Sequence, residues 1–223
     1  MAAFKLFKLK VDILPEGIKN WYLRLIQPII DFFIRLELNP NFFTTIGFIL
    51  TIGAAVLFAA GYLRTAGAIV LLAGTFDIID GKVARLSNRV TKFGALYDST
   101  LDRYSEVIMF FGLAFYFVSQ DMFIRSIAVS FALGGSVMVS YVRARAEALG
   151  FNCKVGIMQR PERVVYIGFG AVFHLAALSF AILMIAVFAN VTAVQRIYHV
   201  WTQENGRRKE KLTEQQMEEL LGD

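Results

Sequence analysis

The chain has a single cysteine, Cys153, among 223 residues. No intramolecular disulfide can form, and no thiolate metal site can be built. Its two histidines, His174 and His199, stand alone in apolar stretches, where packing explains them better than catalysis. The opening "MAAFKLFKLKVDILPE" holds no apolar run of signal-peptide length before Pro15, so membrane insertion is expected to use internal segments. There is no internal repeat and no low-complexity stretch. The "GK" at 81–82 lacks the upstream glycine and the preceding strand that a phosphate-binding loop requires, which excludes that reading.

What is present is apolar. Hydrophobic residues make up 57% of the chain before glycine is counted, whereas an ordinary globular protein has about 45–50% with glycine included. Mean hydropathy is +0.55, and the composition specifies an integral membrane protein rather than a large soluble core. The net charge of +5 then reports cytoplasmic loops facing anionic lipid, not nucleic-acid binding.

The predicted fold is all-α: six transmembrane helices preceded by an amphipathic interfacial helix. Between Pro15 and Glu37, Ile18, Trp21, Tyr22, Leu25, Ile26, Ile29, Phe33 and Leu36 recur at helical spacing, with Asn20, Arg24, Gln27, Asp31 and Arg35 opposite. Pro28 should kink or interrupt this helix. It suits the membrane interface, or packing on the other spans, or both. The first span runs from Phe42 to Tyr62, with Asn41 as its expected cap. The second starts near Ala66 and must extend to Arg85 to reach spanning length. The others run from about Gly94 to Val118, Met122 to Arg145, Arg163 to Ala176 and Leu178 to Trp201. The expected division is a segment at 1–38 with the interfacial helix, a catalytic membrane domain at 39–201, and a polar tail at 202–223 ending in a short helix after Thr213. Apart from Arg64 and Arg125 in outer turns and Arg103 inside a span, 20 of the 23 Lys and Arg lie on one side. That side is expected to face the cytoplasm.

Against this background, "DIIDGKVARLSNRVTKFGALYDSTLD", residues 77–102, contains four aspartates. Asp77, Asp80, Gly81, Ala84 and Arg85 share one helix face, and Gly94, Asp98 and Asp102 share a face of the next helix. Two antiparallel neighbours can thus aim four carboxylates into one cavity that small residues keep open. Buried without a partner, such groups would take up protons instead. Mg²⁺ or Mn²⁺ resolves the conflict, because hard divalent cations prefer carboxylate oxygen and keep positions for phosphate. A pair of ions can hold a diphosphate, and Arg85 is placed to share the phosphate charge. Structural ion pairs, or the acids of an ion-coupled transporter, are the competing readings. A transporter would often show paired broken helices in two related halves, and none is found.

The spacing of Asp77, Asp80, Gly81, Ala84, Arg85, Gly94, Asp98 and Asp102 resembles the signature of the CDP-alcohol phosphatidyltransferases. The resemblance implies a six-helix membrane enzyme, usually a homodimer, that moves a phosphatidyl group from CDP-diacylglycerol to an alcohol and releases CMP. It implies that Asp77, Asp80 and Asp98 are metal ligands, with Asp102 both a ligand and the base that deprotonates the acceptor. Gly81 would admit the nucleotide and Arg85 would bind the diphosphate. Thr91 and the Pro40–Thr44 stretch, with Pro40, Asn41 and Thr44, would give further nucleotide contacts. Glu106, one turn past Asp102, is expected to support the site, to partner Arg103 or to belong to the acceptor pocket.

A second cluster bears on the acceptor. "SYVRARAEALG" and "QRPERVV" place Arg143, Arg145, Lys154, Arg160 and Arg163 at the cytoplasmic surface. Head-group contact explains such residues in many membrane proteins, but five cations beside a metal site can also bind a phosphorylated acceptor. Arg160 and Arg163 share a face at a helix N-terminus, where the dipole favours anions. Ser140, Tyr141, Arg143, Arg145 and the Arg-Pro-Glu-Arg run resemble the branch of the family that uses inositol phosphate. Glycerol phosphate, giving phosphatidylglycerol phosphate, is the alternative acceptor.

Overall fold

The computed structural model describes residues 16–221, with side chains from 20 to 206 and at Gly17. The rest of the expected 1–38 segment, residues 1–15, lies outside it. Seven helices follow in order: α1 Glu16–Arg35, α2 Pro40–Ala59, α3 Leu63–Leu86, α4 Lys92–Ser119, α5 Phe123–Ala148, α6 Arg160–Phe173 and α7 Leu175–Leu221. The described chain is all-helical, as an apolar environment demands: only a helix satisfies every backbone group within one segment. α2, α5 and the Leu175–Gly206 part of α7 are long and apolar enough to cross a membrane. α3 and α4 carry the acids, and α6 has only 14 residues, about 21 Å of helix.

Local chemistry sets the ends. Asn39, not Asn41, caps α2: its side chain accepts the Asn41 N–H at 3.0 Å, with Pro40 in the first turn. Proline suits that position because its missing N–H would have had no helical partner there. Thr91 caps α4 by accepting the Gly94 N–H at 2.9 Å. α6 stops at His174, which is extended and whose Nδ1 accepts the Ala176 N–H at 3.1 Å. The sequence placed this break two to four residues later, because the apolar run hides it. Pro28 lies inside α1 without ending it, as burial of Ile26 and Ile30 on either side holds the turn. The tail does not form a separate short helix after Thr213; α7 continues through it to Leu221.

α3 is central, packed between α2 and α6, while α4 packs on α2 and α5, and α7 packs on α5 and α6. Two glycine contacts bring the helices of the site close together. A Cβ on Gly67 of α3 would lie 2.6 Å from the Gly168 carbonyl oxygen of α6, and one on Gly112 of α4 would collide with the Ala55 backbone of α2. Small residues permit such backbone approach between membrane helices. α1 lays Ile26 and Ile30 against Phe43, Ile79 and Val83. Tyr22, Leu23, Phe33 and Ile34 are partly buried against the same cluster, whereas Trp21, Leu25, Ile29 and Phe32, with Leu36 just beyond the helix, are exposed.

Candidate active site

The acids sit where the last turns of α3 meet the first turns of α4. Asp77, Asp98 and Asp102 each offer a carboxylate oxygen, and these oxygens lie within 4.8 Å of one another. The donor set is hard and anionic, so it fits a divalent cation such as Mg²⁺ or Mn²⁺. Asp80 is held apart from this trio. It is buried, and its Oδ2 accepts the Thr44 hydroxyl at 2.8 Å, so the first turn of α2 orients it.

The residues expected to contact nucleotide converge at this same end. Pro40, Asn41 and Thr44 belong to the start of α2 and Thr91 caps α4. Asn41 Oδ1 would be 3.2 Å from a Cβ on Gly94, so the two first turns adjoin. Gly81 leaves room beside α3 into which Arg85 folds, its Nη2 being 3.2 Å from where a Cβ would stand. A further tie between α2 and α4, Thr45 Oγ1 to the Tyr97 hydroxyl at 3.0 Å, carried no expectation from sequence. Neither residue belongs to the spaced motif.

The basic cluster divides. Arg160 does not stand at a free surface. One Nη is hydrogen-bonded to Asp77, and the other lies 2.7 Å from Asp102 Oδ1. Its guanidinium thus supplies positive charge among the carboxylates. Arg163, expected as an acceptor ligand, is 1% exposed and donates to Glu106 Oε1 from Nε at 2.9 Å and Nη2 at 2.6 Å. The reason is helical geometry: three residues further into α6, its side chain lies a turn deeper, opposite Glu106 rather than the acids. Glu106 therefore pairs with Arg163, and Arg103 adds ion pairs to Asp102 at 3.5 Å and Glu106 at 3.7 Å. Arg145 and Lys154 are exposed, and Arg143 pairs with Glu147 at 2.9 Å. Ser140 donates its hydroxyl to the Ser136 carbonyl within α5.

The loop between α5 and α6, which carries Lys154, hangs on α7. Thr192 Oγ1 accepts the N–H groups of Ile157 and Met158 at 3.2 and 3.1 Å. Arg196 donates to the carbonyls of Val155 at 2.8 Å and Val139 at 2.5 Å, and Gln203 donates to that of Asn152 at 2.7 Å. Sequence reasoning missed these three. An arginine four residues beyond a threonine in an apolar helix was the available signal, since charge inside such a segment needs a partner. In the same loop, burial pushes the Cys153 thiol above its ordinary pKa.

The profile of the CDP-alcohol phosphatidyltransferase family matches residues 37–195. The archaetidylinositol phosphate synthase of Methanothermobacter thermautotrophicus is 38% identical over 182 residues, covering 80% of this chain and 89% of that protein. Among solved structures, the Mycobacterium tuberculosis phosphatidylinositol phosphate synthase with CDP-DAG bound superposes with a TM-score of 0.72 at 34% identity, covering 80% of this chain and 94% of the other. The same enzyme in complex with manganese and citrate superposes at 0.71, also 34% identical, covering 78% and 88%.

Proposed function

Because this chain belongs to the CDP-alcohol phosphatidyltransferase family, an integral membrane enzyme family, we propose that it transfers a phosphatidyl group from CDP-diacylglycerol to inositol phosphate and releases CMP. The observation that carries the reading is the meeting of Asp77, Asp98 and Asp102, from two helices, beside the Arg160 guanidinium from a third. The relatives support the acceptor: an archaetidylinositol phosphate synthase and a phosphatidylinositol phosphate synthase share the inositol phosphate part of their names and differ in the lipid part.

In this reading Asp77, Asp80, Asp98 and Asp102 hold divalent cations, Mg²⁺ or Mn²⁺ and two in number. When bound, the ions neutralise the diphosphate and polarise the phosphorus under attack. Pro40, Asn41, Thr44, Gly81, Arg85 and Thr91 receive the nucleotide and diphosphate. Asp102 accepts the proton of the acceptor hydroxyl as the new P–O bond forms and the bond to CMP breaks. Arg160, with Arg143, Arg145 and Lys154, holds the acceptor phosphate. Arg160 serves both states: it neutralises the acids until cations displace it, and is then free to bind phosphate.

The architecture follows the same proposal. α2 to α7 are six spans with both ends of the bundle chain in the cytoplasm, α1 lies in the interface with its exposed apolar face toward lipid, and residues 202–223 form the cytoplasmic tail. The site opens to the cytoplasm of a cell membrane, and the enzyme works as a homodimer. Purified enzyme in vesicles containing CDP-diacylglycerol, offered inositol phosphate, glycerol phosphate, serine or free inositol, tests the reaction by CMP release. Preference for inositol phosphate is expected; preference for glycerol phosphate overturns the acceptor assignment, and no CMP release with any acceptor overturns the activity.

A further inference from the structure

Glu106 and Arg163 form an ion pair one layer below the acids. Both are almost fully buried, at 2% and 1% exposed. Both nitrogens of the pair reach one oxygen, Oε1, while Oε2 has no hydrogen bond and lies 3.7 Å from Arg103 Nη1. Arg163 also donates to the Met158 carbonyl at 3.5 Å, just before α6 begins.

The position of this pair is informative. α4 and α6 each pack on other helices but hardly on one another. Beside them lies a small cavity lined by residues of both helices and of α2 and α3, among them Thr51, Gly74, Glu106, Met109, Arg160 and Val164. Direct packing between α4 and α6 is therefore sparse, and each helix takes most of its contacts from other neighbours. Two rungs of charge cross the gap: Arg160 to Asp102 above, Arg163 to Glu106 below. Arg160 and Arg163 are three residues apart on the first turn of α6, and Asp102 and Glu106 are four apart on α4, so each pair shares a face. The upper rung is the one cations must break for Arg160 to bind phosphate. The lower rung can remain intact throughout.

We propose that the Glu106–Arg163 pair is a positioning strut: it fixes the first turn of α6 against α4 so that Arg160 stays aimed at the acids and the acceptor phosphate. This rests on the acceptor reading above. A buried ion pair is poor evidence of a stability role, because apolar residues of similar volume often stabilise as well or better, whereas removal of one partner strands a charge. Its value here is geometric.

The experiment uses the full chain in vesicles, with separate kinetics for CDP-diacylglycerol and inositol phosphate and a thermal midpoint for each variant. Glu106→Gln and Arg163→Met each raise the acceptor KM about tenfold and leave the CDP-diacylglycerol KM within about threefold, a split expected for loss of one charge-assisted contact. The double variant Glu106→Leu, Arg163→Met regains the thermal midpoint but not acceptor use. In an Arg160→Gln background, Glu106→Gln costs less than about twofold more, because a strut acts through the residue it positions. Recovery of acceptor use together with the midpoint overturns the strut, as does full multiplication of the two losses. A parent enzyme that prefers glycerol phosphate overturns the acceptor reading instead, and the strut is then judged by the same ratios on glycerol phosphate.

Discussion

Arg160 Nη2 lies 2.7 Å from Asp102 Oδ1, so a cation from α6 is paired with the carboxylate assigned as the base. Any metal ion entering the site must compete with that guanidinium. Arg160→Gln is therefore expected to tighten Mn²⁺ binding, by about tenfold for a lost pair of about 1.5 kcal/mol, while inositol phosphate use falls by a similar factor or more. Titration calorimetry with Mn²⁺ alone measures the first effect. Unchanged or weaker Mn²⁺ binding would show that Arg160 and the ion do not compete.

Metal removal tests the acid cluster directly. Chelation should abolish CMP release and CDP-diacylglycerol binding, and Mg²⁺ or Mn²⁺ should restore both, because three carboxylate oxygens within 4.8 Å need neutralising charge to receive a diphosphate. Turnover that survives a chelator would sink the metal assignment.

Within the cluster, the roles separate. Asp102→Asn should lower kcat by about 10²–10⁴, the usual worth of a general base, and leave part of the CDP-diacylglycerol affinity. Asp77→Asn should damage binding and turnover together, since its loss removes a ligand but no base. Single-turnover rates alongside equilibrium binding distinguish the two; wild-type turnover in Asp102→Asn would reject the base.

Thr44→Val removes the hydroxyl that Asp80 accepts at 2.8 Å. A buried acceptor without its donor costs about 1–3 kcal/mol. The expected result is a CDP-diacylglycerol KM raised roughly ten- to a hundredfold with acceptor KM nearly unchanged. The opposite split would place Asp80 on the acceptor side.

Thr192→Val strips the N–H groups of Ile157 and Met158 of their acceptor, and should loosen the loop that carries Lys154. Acceptor kcat/KM should drop about five- to thirtyfold, for one to two hydrogen bonds of about 1 kcal/mol each, with faster proteolysis between 150 and 159. Equal loss for both substrates would make the role a general one in folding.

Much of this was legible before any coordinates. Eight fixed positions from Asp77 to Asp102 carried the family, because metal and nucleotide chemistry tolerate few residue types at those sites. Apolar length and helical spacing gave the helices, since a membrane leaves the backbone little other choice. Boundaries were less exact where two signals compete, as at Asn39 against Asn41, or where the apolar run is continuous, as at His174.

The basic cluster shows the limit. Arg160 and Arg163 look alike in "RPERVV", three residues apart and both at the cytoplasmic end. Which of them meets the acids depends on how deep α6 sits beside α4: Gly67 of α3 lies close against Gly168 of α6, and Arg163 pairs with Glu106 of α4. Likewise Thr192, Arg196 and Gln203 hold a loop some forty residues earlier in the chain. The sequence determined the helices, the acids and the class of chemistry, because these follow from local periodicity and from residue type. Tertiary structure decided which cation faces the site and which is buried as support, because helix depth and rotation arise from contacts between segments distant in the chain.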